Sequence, residues 1–451
     1  MKIFILILML FTTTRVFAGG NELFASVISA TSFDKSLPYV IFEGKKWNTS
    51  KGSGYSRLDI LFDKPQKIKG LLIEFENEIK DYVTIYLNDI DYTYYLSPKD
   101  KKFEITIDEK REWNSLKFNF NRNKEVVVKK IEIYDEQDEP YKIKTPKIVN
   151  GSVKATSTLS PERSYNIYKI FDSKLEDGWS SDKKMTGDVI EFNFEEPQTI
   201  KAIKLWNGYQ RSDVHYKSNS RVKTLKLEGD NGYVETISIK DKLGDQLINL
   251  PKSFKGNHLK MTVVDSYPGT VYKDLVISEM RFFDGDKYFF INPIKFLKDN
   301  IEYNKNEFSK ASINQVLDNQ ISSSSWSEGE NFTGYTFRFR SDGSIYIQGE
   351  KTEGETARKF FAIGNYEILK ASGEGIDLRL FGYIVEQKGT GTFYEGDCGG
   401  GGYEYEYKDA TKKIFTEYIT ITPDMGNGGY TIKNTSKKPN FFFKGISCSL
   451  N

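Results

Sequence analysis

The chain has 451 residues, and its 64 basic and 63 acidic side chains leave a net charge of +1, which excludes a bulk electrostatic pull toward nucleic acid. Charged residues make up 28% and hydrophobic residues 38%, enough for buried cores but not for an integral bundle of membrane helices. With only two His and two Cys, Cys/His zinc sites are nearly excluded, and His215 and His258 are the only imidazole bases.

Residues 1–18 read as a signal peptide: Lys2 gives a positive start, Ile3 to Phe11 is an unbroken apolar run, and Val16-Phe17-Ala18 puts a small residue before the cut. The run is too short to span a bilayer, and no later segment is long and apolar enough to do so. The expectation is an exported protein (extracellular, at the cell surface or periplasmic) with no transmembrane segment.

Short β-branched or aromatic runs bounded by turn residues follow: Ile68 to Phe75, Val83 to Leu87, Val126 to Tyr134 and Lys201 to Trp206. Aromatics at 14% strengthen the β bias. Two stretches repeat one another, beginning near Ser29 and Lys154. Trp47 matches Trp179 and Pro65 matches Pro197 at the same separation, and Val128 to Tyr134 matches Ile277 to Phe283. Two copies of one β-domain are expected, at 24–136 and 152–286, joined by a polar linker at 137–151 that holds Pro140 and Pro146. Trp47 and Trp179 are expected in the cores.

The last segment, 294–451, differs. Tyr335 to Arg340 alternates cleanly, Ser341-Asp342-Gly343-Ser344 is a turn, and Ile345 to Ile347 continues as a hairpin partner. Further strands are read at Phe360 to Leu369, Ile376 to Val385, Lys413 to Thr422 and Tyr430 to Asn434, and one helical stretch at Lys310 to Asn319. The pattern is that of a meander able to close as a small up-and-down barrel, resembling a lipocalin only in this general way. Cys398 and Cys448 are the candidates for one disulfide, which would contribute about 4 kcal/mol by chain entropy; two free thiols are the alternative.

One resemblance is more specific. Ile170-Phe171-Asp172, Asp177-Gly178-Trp179, Ile190 to Phe194, Leu205 to Tyr209, Asn219 to Lys223, Tyr267 to Thr270, and Tyr272, Asp274 and Ile277-Ser278-Glu279 occur in an order and spacing similar to the discoidin (coagulation factor 5/8 type C) family. Within that family, 152–286 is most similar to the glycan-binding translocation domain found ahead of secreted bacterial NAD glycohydrolases; 24–136 looks like a degenerate copy. The resemblance implies a jelly-roll sandwich whose loops at one end bind sugars, and a structural calcium ion near the Phe171-Asp172 turn. Calcium takes about six to eight hard oxygens; Asp172, Asp177 and Glu279 are the expected side-chain donors. In the first copy Glu43 stands near the Asp172 position and Lys130 falls where Glu279 lies, so no calcium is expected there.

The segment Trp206 to Arg221 is long and polar between two strands. Sugar recognition needs aromatic faces and a few oriented hydrogen-bonding groups. Tyr209, Asp213, His215, Tyr216, Asn219 and Arg221 offer that mixture, with Tyr267 and Tyr272 from a second loop. Asn219 and Arg221 have a second reading, as residues that pin the loop through the backbone.

Catalytic patterns are scarce. No G-x-S-x-G occurs for a Ser-His-Asp triad, and Asp397-Cys398 with Gly399 to Gly402 lacks the Lys and Ser/Thr of a P-loop. Glu404-x-Glu406 is shared with ADP-ribosyltransferases, but their preceding Arg strand is not identifiable, and Tyr403 to Tyr407 reads as a strand with one charged face. No NAD glycohydrolase pattern is identifiable in 294–451. The expectation is therefore an all-β chain of two tandem discoidin-like sandwiches and a barrel-like domain, which binds glycans or glycoproteins without catalysis. The alternatives are a secreted enzyme or toxin-like protein targeted by its sandwiches, acting on NAD or a glycan, and an envelope module for protein–protein contact. Oligomeric state is left open.

Overall fold

Alternation of apolar and polar residues over short runs builds three β-units in chain order. The computed structural model describes residues 21–450 apart from 50–54, 79–82, 89–91, 97–100, 108–110, 122–124, 183–184, 328–330, 396–400, 425–428 and 442–444. The expected signal peptide and Cys398 lie outside the described residues.

The first unit packs a four-stranded sheet (Trp47–Asn48, Val127–Tyr134, Gly70–Phe75, Lys102–Thr106, in spatial order) against a five-stranded one (Val27–Ala30, Tyr55–Lys67, Glu112–Asn121, Val83–Leu87, Tyr92–Leu96). The second unit has longer strands, and they join into one continuous nine-stranded sheet. Val189–Asn207 and Asp245–Tyr267 pair along most of their length, and irregularities at Asn193/Gln198 and Ile200/Ala202 bend the pair. The repeat is legible in the register: Trp47 lies opposite Val128 and Trp179 opposite Ile277, and both indoles are fully buried.

The polar stretch between the units is more than a tether. Lys142–Lys144 adds a parallel partner to Glu22–Phe24, and Lys147–Val149 pairs in parallel with Tyr288–Ile291. Asp135 accepts the amides of Gln137 and Glu139, which fixes the turn that leads into them. One apolar core runs through both sandwiches. Tyr39 of the first sandwich packs on Phe290 at 5.5 Å between ring centres, and its hydroxyl meets Ser173 Oγ at 2.6 Å.

The third unit is a closed antiparallel barrel of eight strands: Gln320–Ser327, Asn331–Phe339, Ser344–Glu353, Thr356–Ser372, Gly375–Glu395, Gly401–Asp424, Gly429–Asn434 and Gly445–Leu450, the last pairing back onto the first. Phe337, Phe339, Ile345, Ile347, Leu378 and Leu380 are buried in its own core. The apolar residues point inward, the reverse of a barrel whose outer band faces lipid. Among the described residues no helix is long and apolar enough to cross a membrane.

The α-helix of this region is Ile294–Lys310, not the expected Lys310–Asn319, which holds only a 3-10 turn at Asn314–Val316. The helix stops because Ser312 takes φ 54°, a left-handed conformation that cannot continue it. Its buried Leu297 and Ile301 belong to the sandwich core and its buried Phe308 to the barrel core. One helix therefore fastens the two cores together.

Candidate functional site

The loop after Val189–Asn207 turns sharply at Gly208, whose φ is +73°; a Cβ there would come within 2.6 Å of Arg221 Cγ, so only glycine fits. Ser212 then caps a short helix, Asp213–Ser218, its Oγ accepting the His215 amide at 3.2 Å. Asn219 closes it, donating from Nδ2 to the His215 carbonyl at 2.8 Å. The polar segment expected as a loop is thus partly helical, because a Ser-Asp N-cap starts a turn that the strand before it cannot extend.

This geometry divides the expected sugar-binding residues into two groups and leaves Asp213 apart from both. Tyr216, Arg221 and Tyr267 form a polar clamp. Arg221 grips Asp241 with Nε at 2.7 Å and a terminal nitrogen at 2.9 Å, and its other terminal nitrogen donates to the Tyr216, Asn219 and Pro268 carbonyls. The Tyr216 hydroxyl donates to Asp241 at 2.6 Å, and that of Tyr267 to the Ile239 carbonyl at 3.1 Å. These side chains are consumed in holding the loop. Asp213 lies at the surface, where Lys412 of the barrel reaches it at 3.3 Å.

The other group, Tyr209, His215, Asn219 and Tyr272, lines a cleft of ≈ 290 Å³ between the loop end of the second sandwich and the outer wall of the barrel. Tyr165 and Asp274 join them from the sandwich, and Arg379, Phe381 and Thr416 from the barrel. His215 meets Tyr209 edge to face at 5.0 Å and Tyr383 of the barrel at 6.2 Å. Burial, with Arg211 adding to it, pushes the His215 imidazole down to about 2, so the ring is neutral at physiological pH. Burial also raises the Tyr209 hydroxyl well above the usual phenol range.

Arg211 has no place among the expected residues, yet it organises the cleft. Its Nε donates to the Glu176 carbonyl at 2.7 Å, and its terminal nitrogens reach Asp177 at 3.5 Å, the Phe381 carbonyl at 3.4 Å and the Asn365 side chain. An arginine in a polar loop reads in sequence as solvated; only the docked barrel shows why it is buried. Arg379 and Phe381 were equally invisible, since nothing in a strand's alternation says which outer face meets another domain.

The expected calcium donors sit where the second sandwich meets its neighbours, and each is met by a protein cation. Lys169 Nζ lies 2.7 Å from Asp177 and 4.0 Å from Asp172, and Glu279 pairs with Arg281, both fully buried. Burial raises the Asp172 carboxyl far above its usual range, with Asp177 and Glu279 adding repulsion, and raises Glu279 to about 7. Burial alone would raise Asp177 too, but Lys169, Lys174 and Arg211 outweigh it and hold that carboxyl low. Among the described residues Asp172 Oδ2 and Glu279 Oε2 lack hydrogen-bond partners, and the cavity of ≈ 20 Å³ beside Lys169, Asp172, Lys174 and Asp342 has room for about one water. Among the described residues no group of three or more carboxylate, imidazole or thiol side chains is disposed to hold a metal ion. As arranged, these side chains fit an ion-pair network and not the calcium ion that the resemblance implies.

Cys448 is buried in the barrel core, which raises its thiol to about 12; its expected partner Cys398 is outside the described residues. Glu406 is exposed beside Lys408 at 3.3 Å, on the face of its strand opposite Tyr403, Tyr405 and Tyr407, as alternation predicts.

The family model of the NAD glycohydrolase translocation F5/8 type C domain matches residues 144–283. Among solved structures, the family 32 carbohydrate-binding module of C. perfringens NanJ in complex with galactose is similar at 11% identity over 29% of this chain and 92% of that one, with a TM-score of 0.24. The module of Streptococcus pneumoniae EndoD is 17% identical over 30% of this chain and 98% of its own, with a TM-score of 0.25. The two modules of Clostridium perfringens ZmpB in complex with GalNAc are 12% identical over 57% of this chain and 89% of theirs, with a TM-score of 0.23. No curated protein matches the chain. The family similarity covers the middle sandwich and leaves the first sandwich and the barrel outside it.

Proposed function

We propose that the protein is an exported, non-enzymatic carbohydrate-binding protein that holds a neutral sugar residue of a glycan or glycoprotein in the cleft between the second sandwich and the barrel. The observation that carries this reading is the make-up of the cleft. Aromatic side chains (Tyr209, Tyr272, Phe381) stand among hydrogen-bonding groups (Asn219, Asp274, Arg379), the mixture that a pyranose with apolar C–H faces and a rim of hydroxyls requires. Its charges are balanced: Arg379 is paired with Glu367 at 3.0 Å and Arg211 with Asp177, and Asp274 adds one carboxylate. No surplus positive charge favours an acidic sugar.

The same residues argue against catalysis. Glycoside hydrolysis needs two carboxyl groups facing one bond, and Asp274 is the one carboxylate among the residues lining the cleft. Ser212 and His215 are in contact, Oγ to Nδ1 at 2.9 Å, but a ring depressed to about 2 is too weak a base to activate a serine. The apolar run Ile3 to Phe11 supports export.

The test is a panel of neutral and acidic oligosaccharides probed with the full chain, followed by calorimetry on Tyr272→Ala, a side chain that is 41% exposed at the cleft. Neutral glycans should bind, salt should matter little, and the variant should weaken binding about tenfold. A folded chain that binds no neutral glycan, or whose binding ignores Tyr272→Ala, overturns the proposal.

A further inference from the structure

The cleft has two walls, and one belongs to the barrel. On the strand Gly375–Glu395, Arg379 and Phe381 are two residues apart and so share a face, the outer one, because the intervening Leu380 is buried in the barrel core. Arg379 is ion-paired from behind: its Nε is 3.0 Å from Glu367 Oε2 on the neighbouring strand, without hydrogen-bond alignment, and its guanidinium carbon lies 5.1 Å from the Phe381 ring centre. Among the described residues its two terminal nitrogens have no hydrogen-bond partner, although the side chain is only 26% exposed. A half-buried fork of donors, charge-paired at its root and open at its tips toward a cleft, is a recognition group rather than a solvated charge.

The wall is also held in place. Arg211 bridges from Asp177 to the Asn365 side chain and the Phe381 carbonyl, Tyr165 packs on Phe381 at 6.2 Å, and Lys174 forms a buried pair with Asp342 at 2.6 Å. These contacts set the width of the cleft, so the barrel is not a passive neighbour.

Resting on the cleft being a glycan site, we propose that the site is composite: the second sandwich supplies one half, and the barrel supplies the specificity-determining half through Arg379, whose fork donates to a pair of adjacent sugar hydroxyls with Glu367 as its positioning residue. The sandwich alone would bind sugars loosely and discriminate poorly between epimers, which differ in where such a pair points.

The experiment uses the full chain with methyl galactoside and methyl glucoside as epimeric probes, together with the tightest oligosaccharide of the neutral panel. Arg379→Ala should lower affinity about tenfold or more, since hydrogen bonds from a charged donor are lost. It should also bring the ratio of affinities for the two epimers close to one. Arg379→Lys should fail to restore that ratio, because a point charge does not replace a planar fork. Glu367→Gln should shift the ratio more than the affinity. Thr416→Trp is the control for folding: the position is exposed, so the fold tolerates the ring, while the ring fills the cleft and should abolish binding. If Tyr272→Ala weakens binding but Arg379→Ala and Thr416→Trp leave it within about twofold, the composite site is wrong and the glycan reading stands. If the folded wild-type chain binds no neutral sugar, both fall.

Discussion

Arginines of the same type end in opposite roles, and their neighbours decide which. The Arg221 fork is saturated by Asp241 and by three carbonyls, so it stabilises a loop. Arg221→Ala should cost about 2–3 kcal/mol, read from denaturant unfolding, because it strands Asp241 and the carbonyls; the value is at the low end for a buried pair since Asp241 is partly exposed. Sugar affinity should fall only in proportion to lost folding; a large affinity loss in a fully folded variant would place Arg221 in the site. His215 gives a second test. The unfolded imidazole takes up a proton near 6.5, whereas the folded ring resists until about 2, so this group lowers stability progressively as pH falls below about 6.5. Arg211 and the Tyr209 and Tyr383 rings surround it and offer no anion to offset that. Wild type should therefore lose melting temperature between pH 7 and pH 4.5 more steeply than His215→Gln; parallel slopes would contradict the burial of a neutral ring. At this scale the sequence grouped Tyr209, His215, Asn219 and Tyr272 by residue type and loop position, and the structure brings these four to one cleft. It was silent on Arg211, Arg379 and Phe381, whose roles exist only across a domain boundary.

Among elements, the helix Ile294–Lys310 joins what the strands leave separate. Its N-terminal half belongs to the sandwich core and Phe308 to the barrel core. Phe308→Ala should cost about 3–5 kcal/mol and loosen the barrel first, which hydrogen exchange on Phe337 and Phe339 amides against those of Phe192 and Phe282 would resolve. Equal loss of protection in both units would mean that the helix is not a joint. Strands were legible because period-two alternation is strong in the barrel and β-branched runs are strong in the sandwiches. The helix was misplaced by one segment because its buried positions are few, Leu297, Ile301 and Phe308, set among charged residues. The duplicated final strand shows how a repeat diverges: Lys130 and Glu132 pair at the surface, and Glu279 and Arg281 pair with reversed signs where the two sandwiches meet.

Across the whole molecule, the second sandwich is buried on two sides, and this explains its internal charges. Arg281 reaches the first sandwich through the Ser26 carbonyl at 3.0 Å and the Tyr39 hydroxyl at 3.2 Å, and Lys174 reaches the barrel through Asp342. Burial would raise the Asp342 carboxyl, but Lys174 outweighs that and holds it well below the usual range. Cations of the protein thus stand where the family resemblance implies a metal. The thermal midpoint should be the same in EDTA and in millimolar calcium; a clear rise with calcium would contradict the ion-pair account of Asp172, Asp177 and Glu279. Lys174→Ala should cost about 3–5 kcal/mol by leaving Asp342 buried and unpaired. The sandwich repeat and the closing meander could be read from the sequence, but the packing of one unit on another could not, because interface residues carry no periodic signal. The measurement that tests the account most directly is a crystal structure of the full chain soaked with its tightest neutral glycan. Density for a sugar ring between Tyr272 on one side and Arg379 and Phe381 on the other is the predicted result. A sugar seated elsewhere, with this cleft left to solvent, would contradict it.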